Sequence, residues 1–155
     1  MLTQIHLVLH NIRSTHNVGA IFRTADATGV KKIYISGITP APIDRFGRAR
    51  PDISKASLGA EKTVEWESVA GIKELIKNLK KEKFQIIAVE QDKKSIDYKD
   101  LKKNEKVLLI VGNEVDGVDK EVLNLCDDIV EIPMLGKKES LNVSVATGVV
   151  LYFLI

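Results

Sequence analysis

The sequence predicts an α/β domain, a mostly parallel sheet flanked by helices. Short aliphatic and β-branched runs recur at Ile5–Leu9, Lys32–Ser36, Phe84–Val89 and Val107–Val111. Segments with helical spacing separate them, and strands alternating with helices form βα units. Val107–Val111 is apolar without interruption, as expected of a strand buried on both faces.

The elements follow in order. After the Ile5–Leu9 strand comes a polar loop, Asn11–Asn17, then a helix over about Val18–Thr28 with Ile21 and Ala25 inward. Gly29 stops it, as glycine commonly does past a helix end. Beyond the Lys32–Ser36 strand lies a long loop, Gly37–Pro51, holding three of the four prolines. Asp52–Leu58 is a short helix and Val64–Trp66 a strand fragment. A helix opening at Ser68 or Ala70 puts Ile72, Leu75, Ile76 and Leu79 on one face, opposite a solvated lysine series. Phe84–Val89 is a strand, and Asp92–Asn104 a lysine-rich connection. Val107–Val111 ends in a turn-rich loop, Gly112–Gly117. Asp119–Cys126 has helical spacing, and Ile129–Ile132 is a short strand ended by Pro133, which has no ladder donor. The loop Pro133–Asn142 leads into Leu141–Ile155, read as a helix with Ser140 and Asn142 as candidate caps.

Two of these loops, Gly112–Gly117 and Pro133–Asn142, follow the carboxyl ends of strands, where open α/β sheets bind ligands. The final helix shows no polar face after Thr147. Such a helix is expected to be buried on every side. A small domain can hardly do that alone, so a second copy is expected to cover Val149, Tyr152 and Phe153, making a homodimer.

Composition sets the bounds. The chain has 155 residues, 45% hydrophobic and 28% charged, which gives one domain over 1–155 with a real core. A lone cysteine, Cys126, leaves no disulfide framework, and core packing is its expected role. The N-terminal stretch lacks a signal-peptide pattern, and no apolar run reaches the roughly 20 residues of a membrane span. A cytoplasmic protein is the expectation. A net charge of +2 is too small to imply a polyanion partner, so local clusters must carry that argument.

Familiar chemistry is missing. No G-x-G occurs, so the dinucleotide fingerprint is absent. Gly112–Gly117 has P-loop glycine spacing, but Val118 and Asp119 replace the Lys and Ser/Thr. His6, His10 and His16 lack metal-ligand spacing, and no metal site is expected. What remains is Asn11–Asp26, where Asn17 and Gly19 fall at a loop-to-helix junction and Arg23 lies one turn on. An arginine on an apolar helix needs a partner, either Glu114 in an ion pair or a phosphate or ribose.

Three segments, NIRSTHNVGAIFRTAD, IVGNEVDGV and EIPMLGKKESLNVSVA, resemble in order and spacing the three motifs of the SpoU (TrmH-type) RNA ribose 2′-O-methyltransferases of the SPOUT superfamily. The resemblance implies an α/β fold with a C-terminal deep trefoil knot, S-adenosyl-L-methionine as cofactor, tRNA or rRNA as substrate, and a dimer. Residue by residue, it implies that Arg23, Asn17, Glu114, Ser140 and Asn142 form the catalytic set. It places Gly112, Asn113, Glu114, Gly117, Ile132, Met134, Ser140 and Leu141 around the cofactor. A guanidinium keeps its proton to about pH 12 and is a poor base, so stabilising a developing alkoxide or holding a phosphate suits Arg23 better. Asn17 is expected to orient this arginine or the ribose, and Glu114 to fix Arg23 or its own loop. Arg13, Arg45, Arg48 and Arg50 are the expected RNA contacts. Two alternatives stay open: a catalytically silent RNA-binding protein that retains the fold, and an α/β enzyme acting on a small molecule or a protein.

Overall fold

A computed structural model describes residues 2–155. Seven strands form one sheet: β1 (Gln4–His10), β2 (Lys32–Ser36), β3 (Glu65–Val69), β4 (Gln85–Val89), β5 (Ile96–Asp97), β6 (Lys106–Val111) and β7 (Asp128–Glu131). Their order is β3-β2-β1-β6-β4-β7-β5, and every pairing is parallel. Five helices accompany them: α1 (Thr15–Ala27), α2 (Pro51–Ser57), α3 (Ile72–Lys81), α4 (Lys120–Leu123) and α5 (Val143–Leu154).

Side-chain alternation makes two cores. In β6, Val107, Leu109 and Val111 face a core shared with α1, α2 and α5. Leu108 and Ile110 face a second core with Ile72, Ile76 and Leu79 of α3 and Val122 of α4. A strand covered on both faces needs an unbroken apolar sequence, and Val107–Val111 of β6 is fully enclosed accordingly. The chain builds outward from β1 through β2 to β3, then crosses to the other side of β6 for β4. That reversal opens a crevice at the carboxyl ends of β1, β6 and β4.

Several boundaries differ from the sequence reading. Helix α1 begins at Thr15 because the Ser14 side chain accepts from the Asn17 N–H and caps it. The strand expected at Val64–Trp66 runs on to Val69, pairing with β2. Helix α4 stops at Leu123, and the Asp92–Asn104 connection contributes the edge strand β5.

The terminal helix is corrected more substantially. Thr147, Val150, Leu151 and Leu154 are buried, but Val145 and Tyr152 are 51% and 58% exposed. One face alone packs inward. Phe153 belongs to the chain's own core, edge-on to Tyr98 at 5.5 Å.

Candidate active site

The crevice is closed by two loops, and their geometry follows from a few polar groups. Asn113 closes the first. Its backbone N–H donates to the Gly117 carbonyl (3.1 Å) and its carbonyl accepts from Gly117 (2.9 Å). Its side-chain oxygen accepts from the N–H groups of Val115 (2.8 Å) and Asp116 (2.9 Å). Its amide nitrogen donates to the Asn11 carbonyl at the end of β1 (2.8 Å). Glycine is required at two places here. A Cβ on Gly112 would lie 2.6 Å from the Gly117 carbonyl oxygen, and Gly117 has φ +68.

Glu114 reaches from this loop to the start of α1. Its carboxylate accepts from the N–H groups of Arg13 and Ser14 (both 3.1 Å) and from the Asn17 side-chain amide (3.3 Å). Burial alone would raise its pKa. The hydrogen bonds from backbone N–H groups, its own included, and from Asn17 outweigh that and hold the carboxyl below its usual 4.5. The clamp is therefore fully present above pH about 4.5 and is lost as pH falls through the lowered value. Glu114 makes no ion pair with Arg23, which corrects one expectation: free N–H groups at a helix start are the partners it meets instead.

Asn17 is buried and uses both ends of its amide. The nitrogen donates to Glu114, and the oxygen accepts from Asn142 (3.2 Å). Asn142 in turn caps α5 through Ser144 N–H (2.8 Å). Of the two cap candidates, Asn142 fills the role, while Ser140 lies exposed on the cavity rim.

These ties surround a cavity of about 290 Å³. Gly112, Asn113, Glu114, Gly117, Ile132, Met134, Ser140 and Leu141 all line it, so the eight residues expected around a cofactor meet at one place. Arg23 does not. It is exposed on α1 in a separate shallow recess with His16, Ala20 and Tyr152, and its side chain makes no hydrogen bond or ion pair among the described residues. Arg13, Arg45 and Arg48 are exposed on the surface, and Arg50 is half-buried.

Sequence reasoning missed Glu90, just past the end of β4. Its carboxylate accepts from the Val118 N–H and from the Gln91 N–H (both 2.8 Å) and lies against Gly117. Gln91 then holds the second loop by donating to the Glu139 carbonyl (2.7 Å). A charged residue ending a buried strand at the crevice was the available signal. Glu90→Ala should speed hydrogen exchange at the Val118 amide by roughly 10- to 100-fold, since a hydrogen bond to a charged group contributes about 1.5–3 kcal/mol. Unaltered exchange at that amide would remove Glu90 from the loop's support.

Two other groups are structural. His10 bridges Ser36 Oγ (2.9 Å) and Asp119 (3.1 Å), but Ser36 is 3% exposed, so this serine–histidine–aspartate chain has no access for a substrate. Cys126 packs beneath α4, and its thiol is pushed up to about 12 by burial and then by Asp127, which keeps it protonated and inert. Among the described residues, no group of three or more His, Cys, Asp or Glu is placed to hold a metal, and no helix is long and apolar enough to cross a membrane.

Comparison with known proteins covers nearly the whole chain. A sequence model of the SpoU rRNA Methylase family matches residues 4–152. The tRNA (guanosine(18)-2′-O)-methyltransferase of Aquifex aeolicus is 34% identical over 142 residues, covering 92% of this chain and 64% of the relative. The 23S rRNA (guanosine-2′-O-)-methyltransferase RlmB of Neisseria meningitidis is 35% identical, covering 94% of this chain and 55% of the relative. The chain thus spans somewhat over half the length of these two relatives. Among solved structures, an AdoMet-bound rRNA methyltransferase from Sinorhizobium meliloti superposes with a TM-score of 0.87 at 27% identity, covering 98% of this chain and 56% of that one.

Proposed function

Because the chain belongs to the SpoU rRNA methylase family, we propose that it transfers a methyl group from S-adenosyl-L-methionine to a ribose 2′-hydroxyl of structured RNA, either tRNA or rRNA. The observation that carries this reading is the double tie through Asn17. It joins the start of α1 to Glu114 and to Asn142, so the three motif segments meet beside one cavity.

The residues present suit the cofactor. Gly112 lets backbone approach a ligand where a side chain would collide, and Ile132, Met134 and Leu141 offer apolar surface for an adenine and ribose. Glu90, Glu114, Glu131 and Glu139 also line the cavity, with no lysine or arginine among its walls, a setting that favours a cationic sulfur. When bound, the cofactor supplies a methyl group already activated by the sulfonium charge. The chain must then align the hydroxyl and stabilise charge on its oxygen as the proton leaves. Asn17, with Asn142 and Ser140, orients the reacting ribose. Glu114 holds the first loop, and Arg23 stabilises the alkoxide or grips the adjacent phosphate.

Arg23 lies outside the cavity of its own chain and shares a recess with Tyr152, on the uncovered face of α5. A homodimer built on that face would place Arg23 against the second copy. The family reading extends to the backbone path as well, with the C-terminal part of the chain threaded as a deep trefoil knot. In support, β6 lies at the centre of the sheet, β7 beyond β4, and α5 returns to pack beside α1. Residues 1–155 would then form one methyltransferase domain working in the cytoplasm, where tRNA and rRNA are found, without a metal.

The test is transfer of a labelled methyl group to total RNA, followed by mapping of 2′-O-methyl positions. Label appearing only on bases or on protein would sink the proposal, and cofactor binding with no transfer to any RNA would favour the silent RNA-binding alternative. RNA affinity should fall steeply with salt while cofactor affinity does not, since phosphate contacts release counterions. Replacing Arg45, Arg48 and Arg50 together with alanine should flatten the logarithmic salt slope by about 2–3 units. An unchanged slope would return this loop to ordinary solvated surface.

A further inference from the structure

The long loop before α2 is a built finger rather than a slack connection. Ile43 and Ala49 pair antiparallel across it, and the Asp44 N–H donates to the Arg48 carbonyl (2.8 Å). Asp44 then pins the tip. Its carboxylate accepts from the N–H groups of Phe46 (2.8 Å) and Arg48 (3.0 Å), and from Arg48 Nε (3.1 Å). Those hydrogen bonds, led by the Arg48 backbone, hold the Asp44 carboxyl below its usual range, so the pin stays charged at neutral pH.

At this fixed tip stands Phe46, 66% exposed. The guanidinium carbons of Arg45 and Arg48 lie 4.8 and 5.0 Å from its ring centroid. At the base of the finger, Arg50 Nε is buried and has no hydrogen-bond partner. A buried donor without an acceptor is costly and calls for an anion. An aromatic ring held in place, flanked by two guanidinium groups and still largely exposed, is an arrangement that can stack a nucleobase while the arginines shift to the neighbouring phosphates.

The finger starts at the site. Asn11, which accepts from Asn113, also accepts from Ile38 N–H at the loop's beginning (3.0 Å), and α2 packs on α1 at its end.

Resting on the proposed RNA methylation, we infer that Phe46 stacks on an unpaired base of the substrate, close to the methylated nucleotide, so that the enzyme selects looped or single-stranded RNA over duplex. Bases within a duplex are already stacked on each other and offer the ring no free face. The arginines give affinity to any phosphate backbone, and the ring adds the preference for an unstacked base. A lipid surface is disfavoured, because a single aromatic on a short loop offers little apolar area for insertion.

The experiment compares anisotropy titrations of a labelled stem-loop RNA and a fully paired RNA of equal length. Wild-type protein should prefer the stem-loop. Phe46→Leu should weaken stem-loop binding roughly 5- to 150-fold, the range for loss of one base–aromatic stack, with duplex binding and the salt slope unchanged. Phe46→Trp should restore the preference, and an unchanged unfolding midpoint would show that Phe46→Leu is intact. Loss under twofold, or equal loss on both RNAs, would overturn the stacking role and leave the methyltransferase reading standing. Wild-type protein that binds neither RNA would overturn both. Phe46-dependent sedimentation with phosphatidylserine vesicles and no stem-loop preference would replace the base with a membrane.

Discussion

On the proposed activity, Arg23→Ala is expected to leave S-adenosylmethionine binding within a few fold of wild type and to cut methyl transfer by about 10²–10³, the range for loss of one transition-state donor. The separation follows from position. Arg23 stands on α1 outside the cavity, whereas the residues proposed to hold the cofactor converge on the loops after β6 and β7. Arg23→Lys distinguishes the roles open to the side chain. Lysine keeps the charge but loses the planar fork, and an ammonium gives up its proton near pH 10.4, far more readily than a guanidinium. A group that holds an alkoxide or phosphate through two parallel hydrogen bonds will not be replaced, and the lysine variant will stay impaired at every pH. A true base will be replaced progressively as pH rises toward about 9–10. Single-turnover rates against pH, at saturating RNA and cofactor, separate the two. Recovery at high pH beyond the wild-type trend would overturn the stabilising role.

On the proposed homodimer, Val145→Asp and Tyr152→Asp are each expected to give monomers. Both side chains are exposed on the outer face of α5, so neither change disturbs the chain's own core. Residue 145 also falls in the first turn after the Asn142 cap, where a carboxylate favours the helix itself. Any loss of association is then a loss at the interface. Burying an unpaired charge there costs several kcal/mol, which weakens the dimer on the order of 10²–10³-fold. Sedimentation equilibrium reads this directly, and methyl transfer should fall with it if Arg23 serves the second copy. A soluble, fully active dimer from either variant would refute the assigned face.

Much of this architecture was legible in the sequence, and what was not has physical reasons. The uninterrupted run in β6 marked the centre of the sheet, because only a doubly covered strand tolerates it. The eight cavity residues were readable because they follow strand ends and match the family's motifs. Glu90 and Gln91 were not, since they hold the loops from a strand outside all three motifs. Glu114 was expected to fix either Arg23 or its own loop; it ties the loop to α1, through backbone N–H groups that carry no sequence label. The two faces of α5 were hidden because every residue after Thr147 is apolar or aromatic, and hydrophobicity alone supplies no contrast between core and outer face. The finger was invisible for a different reason: one aspartate side chain, not a periodic pattern, folds it.

The amide of Asn17 has a consequence in time. Its two partners lie 97 and 125 positions further along the chain. Synthesis at about 5–20 residues per second separates Asn17 from Asn142 by on the order of ten seconds. Contacts across such separations also close late, because the entropy of ordering the intervening chain must be offset first. The cleft therefore needs residues from both ends of the chain before its Asn17 ties can form. On the proposed cofactor site, S-adenosylmethionine can be held only after Asn142 has been made and has met Asn17.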